Sequence, residues 1–139
     1  MNKRFIKKVV SVFLIGTCLF GFALAVNAAS ISGTYYFGSG GSLGYSTTTF
    51  TPWHSQVNAH VSALNLSGYS KNVWPVGMKI RTALFSNDNS KQKMSDYAVC
   101  SARNQVHIVN VDGSISTAYV MGAKNDKGHT GSVTTVWAY

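Results

Sequence analysis

The stretch Thr51–Leu66, TPWHSQVNAHVSALNL, admits two readings, and the choice between them sets the fold class. As a helix it would be capped by Thr51, carry Pro52 in its first turn, end at Gly68 and line up Trp53, Val57, Val61 and Leu64. As a strand it would put Val57, Ala59, Val61 and Ala63 on one apolar face, with Asn58, His60 and Ser62 opposite. Serine, asparagine, histidine and valine are mediocre helix formers. The neighbouring segments also read as strands, so a strand is the expected form. An even offset puts His54 and His60 on one strand face, whereas six helical steps turn them apart. In the extended form they lie roughly 20 Å from each other at about 3.3 Å per residue, too far to share one ion. No metal site and no cofactor are expected.

Working outward, the same alternation recurs. In Gly77–Ser86, GMKIRTALFS, Met78, Ile80, Thr82 and Leu84 form an apolar face, against Lys79, Arg81 and Ala83. The run DYAVCSA, after the Ser86–Ser90 turn cluster, reads as a further strand with Ala98, Cys100 and Ala102 on one face. In QVHIVNVDGSISTAYVMGA, residues 105–123, two strand-like runs flank Asp112-Gly113, a pair suited to a tight hairpin. A turn at Asn125–Gly128 then leads into GSVTTVWAY, where Val133, Thr135 and Trp137 share a face, so residues 105–139 read as a three-strand meander. Upstream, GTYYFGSGGSLGYSTTTF reads as two short strands about a flexible Gly and Ser centre. The expected architecture is all-β, an antiparallel sandwich or small barrel of about seven to eight strands.

The first residues point to export. Lys3, Arg4, Lys7 and Lys8 precede an uncharged apolar run, and small residues follow it at Val26-Asn27-Ala28, the pattern of a secretory signal cleaved near Ala28. A retained membrane anchor and a lipoprotein acylated at Cys18 are the rival readings. Cleavage leaves residues 29–139 as one domain, large enough to bury about two-thirds of the surface its unfolded chain exposes. That segment has no glutamate, and its eight basic residues face four aspartates. The basic residues are scattered, which argues against nucleic acid and for a milder partner such as a bacterial cell wall or anionic membrane surface. Cys100 is its single cysteine, so no disulfide can form within it.

The residues offer little for catalysis. Three of the aspartates, at 88, 112 and 126, sit in turn-like sequence, leaving Asp96 without a carboxylate partner. Cys100 would need activation by His107 or His129, and its small apolar neighbours point instead to an inert buried thiol. The aromatic residues are the richer resource. Trp53 and Trp74, each beside a proline, are candidates for stacking on a ligand, whereas Trp137 reads as core. Lys79 and Arg81 share a strand face where an anion such as phosphate could sit. His54 and His60 complete the set of candidate binding residues.

The first half of the mature chain resembles the lactococcin 972 family of secreted bacteriocins. The shared features are Gly33-Thr34-Tyr35, Gly38, Tyr45-Ser46, His54-Ser55 with Val57, Ser67-Gly68 ahead of Val73-Trp74, and an aromatic C-terminus at Trp137 and Tyr139. The resemblance implies a small β-sandwich from a Gram-positive bacterium, acting on competitors' envelopes by binding rather than by enzymatic attack. The expected function is therefore that of a secreted, non-enzymatic, bacteriocin-like protein. The alternative is a structural or adhesive surface module that self-associates through strand edges.

Overall fold

The computed structural model describes residues 29–139, so the leader and its cleavage site lie outside the described residues. Among the described residues eight strands form the fold: β1 (Ser30–Tyr36), β2 (Gly44–Phe50), β3 (Gln56–Leu66), β4 (Ile80–Ser86), β5 (Ala98–Cys100), β6 (His107–Asn110), β7 (Tyr119–Asn125) and β8 (Gly131–Ala138). They make two antiparallel sheets, sheet A in the order β1-β8-β3-β6 and sheet B in the order β2-β7-β4-β5. The architecture is an open β-sandwich rather than a barrel. Only β4 and β5 are consecutive strands of one sheet; every other connection crosses between the layers.

The strand reading of residues 51–66 holds, with two changes. β3 begins at Gln56, which leaves Trp53 and His54 in the preceding bend. Val57, Ala59 and Val61 are buried as expected, but the pairing with β8 slips between Val61 and Ala63. That bulge adds one residue, so the inner face continues through Leu64 and Leu66 while Ala63 turns outward. The extra residue also brings β3 alongside Gly131, where φ is 138° and an added Cβ would lie 2.2 Å from the carbonyl oxygen of Asn65. Only glycine allows the two backbones to approach so closely at the start of β8.

The expected meander over residues 105–139 does not form. β6 pairs with β3 in sheet A, β7 lies between β2 and β4 in sheet B, and β8 returns to sheet A between β1 and β3. Gly113 has no positive φ. Its missing side chain instead leaves room for the Tyr119 hydroxyl, 2.3 Å from where a Cβ would stand, and for Met94. Tyr119 uses that proximity to donate a hydrogen bond to the Ser114 carbonyl at 2.7 Å. Residues 111–118 thus form a crossing, tied further by the Asp112 amide to the Met94 carbonyl and the Ser116 amide to the Pro52 carbonyl. Similarly, Asn125–Gly128 is a corner between sheets, in which the Asn125 side chain accepts from the Lys127 and His129 amides and donates to the His129 carbonyl. A third expectation also fails: Ala102 lies in an exposed turn after β5, off the face shared by Ala98 and Cys100.

Between the layers sits one apolar core, with Trp137, Phe50, Leu64, Met78, Ile80, Leu84 and Met121 among its fully buried side chains. A short polar seam crosses it. The Tyr35 hydroxyl lies 3.2 Å from Thr135 Oγ1, and Thr82 Oγ1 donates to the Gly122 carbonyl at 2.9 Å. Burial pushes the Tyr35 phenol up to about 12, with the bonds from Thr135 and Thr82 opposing that rise. The unfolded chain therefore loses this proton near pH 10.0 while the folded chain keeps it. The stability that Tyr35 contributes is complete below that pH and falls by roughly 2–3 kcal/mol as pH rises through the folded value. Urea unfolding across this alkaline range should show the loss in the wild type. In Tyr35→Phe the share of that loss due to the phenol should be absent, leaving the share of the buried Cys100 thiol, at a cost of about 1 kcal/mol at neutral pH from the lost hydrogen bond.

Candidate functional site

The six candidate residues do not converge. Trp53, 55% exposed, and His54 sit at the end of the sandwich where β3 begins, with the His54 ring 6.0 Å from that of Tyr139. Trp74 lies beyond the opposite end of β3, an 11-residue strand that spans roughly 35 Å. Its indole donates to the Met78 carbonyl at 2.8 Å and its ring packs against the core, so Trp74 closes the 67–79 loop. His60 is on the outer face of sheet A, level with Val136 of β8. Arg81 is on the outer face of sheet B, as is Lys79 just before β4 begins.

A carboxylate of the protein, that of Asp126, stands at the Lys79 backbone, on one side of the expected anion position. Asp126 Oδ1 accepts the Lys79 backbone N–H at 2.8 Å. That bond, with smaller contributions from Lys127 and Arg81, holds the Asp126 carboxyl below its usual range. A ligand anion beside Lys79 would meet Asp126, whereas Arg81 faces Lys124.

The most distinctive surface lies further along the same sheet face. Gly122 of β7 lies beside Ala83 of β4, so two small residues are neighbours, with Tyr45 of β2 on the other side of Gly122. The Phe85 ring fills the space over Gly122, 2.6 Å from where a Cβ would be, and Tyr45 meets it edge-on at 5.2 Å. Ala83, Phe85 and Val120 are thereby buried on the outside of the sheet, with Leu43, Tyr45 and Tyr97 packed around them. Three lysines cover this cluster. Lys93 and Lys124 each place Nζ 5.2 Å from the centre of the Tyr97 ring, and Lys91 lies 6.0 Å from that of Tyr45. Ammonium groups over ring faces gain electrostatic attraction without giving up solvent on their outer side. Lys124 is also directly across from Arg81, a like-charge cross-strand pair that costs stability unless an anion screens it. Asp88 stays out of this surface: its hydrogen bonds to Ser86 and Ser90 tie it into its own turn and hold its carboxyl down to about 2.

Reading the residues in order does not bring together Tyr45, Lys91, Lys93, Tyr97 and Lys124, and of these it singles out only Tyr45, among the residues shared with the family. They come from four separate segments, and the one local trace, Lys91 and Lys93 at a spacing of two, lies in a turn-rich stretch where alternation carries no information. The expected inertness of Cys100 agrees with its position. It is fully buried, and that burial pushes its thiol up to about 11. Among the described residues no group of three or more histidine, cysteine or acidic side chains could hold a metal ion. No described helix is long and apolar enough to cross a membrane. The chain matches no family model, no curated protein and no solved structure.

These placements predict slow thiol chemistry. An aromatic disulfide reagent should modify Cys100 in the native protein on the order of a thousandfold more slowly than in urea, because reaction requires opening of the fold. Prompt labelling without denaturant would contradict the burial.

Proposed function

We propose that the protein is a secreted, non-enzymatic, bacteriocin-like β-sandwich that binds an anionic component of the Gram-positive cell envelope through the outer face of sheet B. The observation that carries this reading is the set of three lysines laid over Tyr45 and Tyr97, beside the like-charge pair of Arg81 and Lys124. Cations already gathered on a rigid sheet lose little entropy when an anion binds them. A wall polymer suits this face better than insertion into a bilayer, because its apolar rings lie beneath the ammonium groups. The leader and the residues shared with the lactococcin 972 family support the same reading.

A second reading, an adhesive module that self-associates, is favoured by one feature. The edge strand β6 carries Ile108, 72% exposed, next to Val106, 57% exposed, and its outer edge is covered by Asp96 only at Asn110.

The secreted protein should be retained by isolated walls of Gram-positive species and should clear zones on their lawns. Retention should fall as salt is raised. The double variant Lys93→Gln, Lys124→Gln should fold, since relief of the repulsion with Arg81 offsets the lost ring contacts, and should lose about tenfold or more in wall affinity. Neither retention nor clearing would sink the proposal. Self-association on sedimentation, without either effect, would favour the second reading.

A further inference from the structure

The opposite outer face, that of sheet A, differs in kind. Its outward strand residues carry no formal charge: Ser30, Ser32, Thr34 and Tyr36 on β1, Ser132, Thr134, Val136 and Ala138 on β8, and Asn58, His60, Ala63 and Asn65 on β3. The register stacks them in rows. Tyr36, Ser132 and Asn65 form one row across the three strands, and Thr34, Thr134 and Ala63 form the next. Over these two rows lies a depression of about 300 Å³, lined by Thr34, Asn65, Lys71, Ser132 and Thr134 together with Ala63 and Leu64. This is near the small end of the range for small-molecule sites.

Each part of the depression has a structural cause. The β3 bulge turns Ala63 outward, and its short side chain leaves the floor low. Thr34 and Thr134 share a hydrogen bond of 2.7 Å, which fixes both hydroxyls while leaving each with unused capacity. One wall is the loop after β3. Asn72, at φ 63°, donates its backbone N–H to the Leu64 carbonyl at 2.7 Å and accepts the Leu64 amide on its side chain at 3.0 Å, which brings its neighbour Lys71 to the rim. Tyr36, 76% exposed, stands on the same face next to Ser132.

We infer that this depression is a saccharide site. Fixed hydroxyls and an amide that both donate and accept match the hydroxyls of a sugar, and an exposed tyrosine ring offers a flat face against which a sugar can stack. A phosphate-rich ligand would find one cation here against four on the other sheet. An apolar ligand would have to strip water from hydroxyls and an amide that it could not bond. Lys71, the single charged group of the lining, selects a saccharide that carries a carboxylate at that end. The site rests on groups separate from those of sheet B, so it stands whether or not sheet B binds an envelope anion.

The test uses the secreted protein, isotope-labelled, with two matched tetrasaccharides: a chitin tetramer, which is neutral, and a hyaluronan tetramer, in which alternate sugars are uronates. Both should shift the amide resonances of Thr34, Asn65, Ser132 and Thr134, with the uronate form bound about tenfold tighter. Lys71→Gln should bring the two affinities together. Tyr36→Ala and Thr134→Val should weaken both, while the circular dichroism and thermal midpoint of each variant stay near those of the wild type. Absence of these shifts with either saccharide overturns the site, as does an equal response to inorganic phosphate alone. Equal affinity for the two tetramers overturns the role given to Lys71.

Discussion

Strand β8 is the constraint on which the sandwich depends. It pairs with β1 along one side and with β3 along the other, so its backbone is the only bridge between them in sheet A. Its inner face supplies Val133, Thr135 and Trp137 to the core, each at most 1% exposed. The Trp137 ring is tilted against Phe50 at 6.2 Å, and Phe50 in turn meets Tyr139 at 5.9 Å, so this one strand also reaches across to sheet B. Without it the paired amides and carbonyls of β1 and β3 would have no partners, a cost that apolar packing in a domain this small could not offset.

From that shared interior the two outer faces diverge. Sheet B covers a small apolar cluster with lysines and presents positive charge, whereas sheet A presents hydroxyls and amides with a single lysine at the rim of its depression. A strand with one buried and one solvated face leaves the solvated side free to vary without disturbing the core. Here the outward positions of sheet B go further and bury Phe85 and Val120, which ties its surface chemistry to its stability. Sheet A makes no such demand, since none of the side chains on its outer face is buried.

What could be read in the residue order was what depends on local period. The inner faces of β4 and β8, and that of β3 as far as Val61, follow from alternation, and Met78, Ile80, Thr82, Leu84, Val133, Thr135 and Trp137 are all buried as that pattern requires. Partner choice has no local signature. Asp112-Gly113 has the composition of a hairpin turn, yet its glycine exists to admit the Tyr119 hydroxyl, a contact visible only in three dimensions. The same limit applies to the surfaces. Trp74 was a fair stacking candidate from its sequence, but its indole is committed to the Met78 carbonyl, and the lysines over Tyr97 meet only because β4, β5 and β7 are neighbours.

The crossing of the chain between layers also governs how fast it can fold. Thr34 and Thr134 touch although they are 100 positions apart, as do Tyr35 and Thr135. Contacts this distant in the chain pay their loop-closure entropy before any pairing rewards it, which places such folds among the slow ones, in the range of milliseconds to seconds. Until residues 131–138 arrive between them, β1 and β3 stay open to any other strand within reach. The position of β8 therefore makes the unfinished chain, more than the folded one, the state in which aggregation competes.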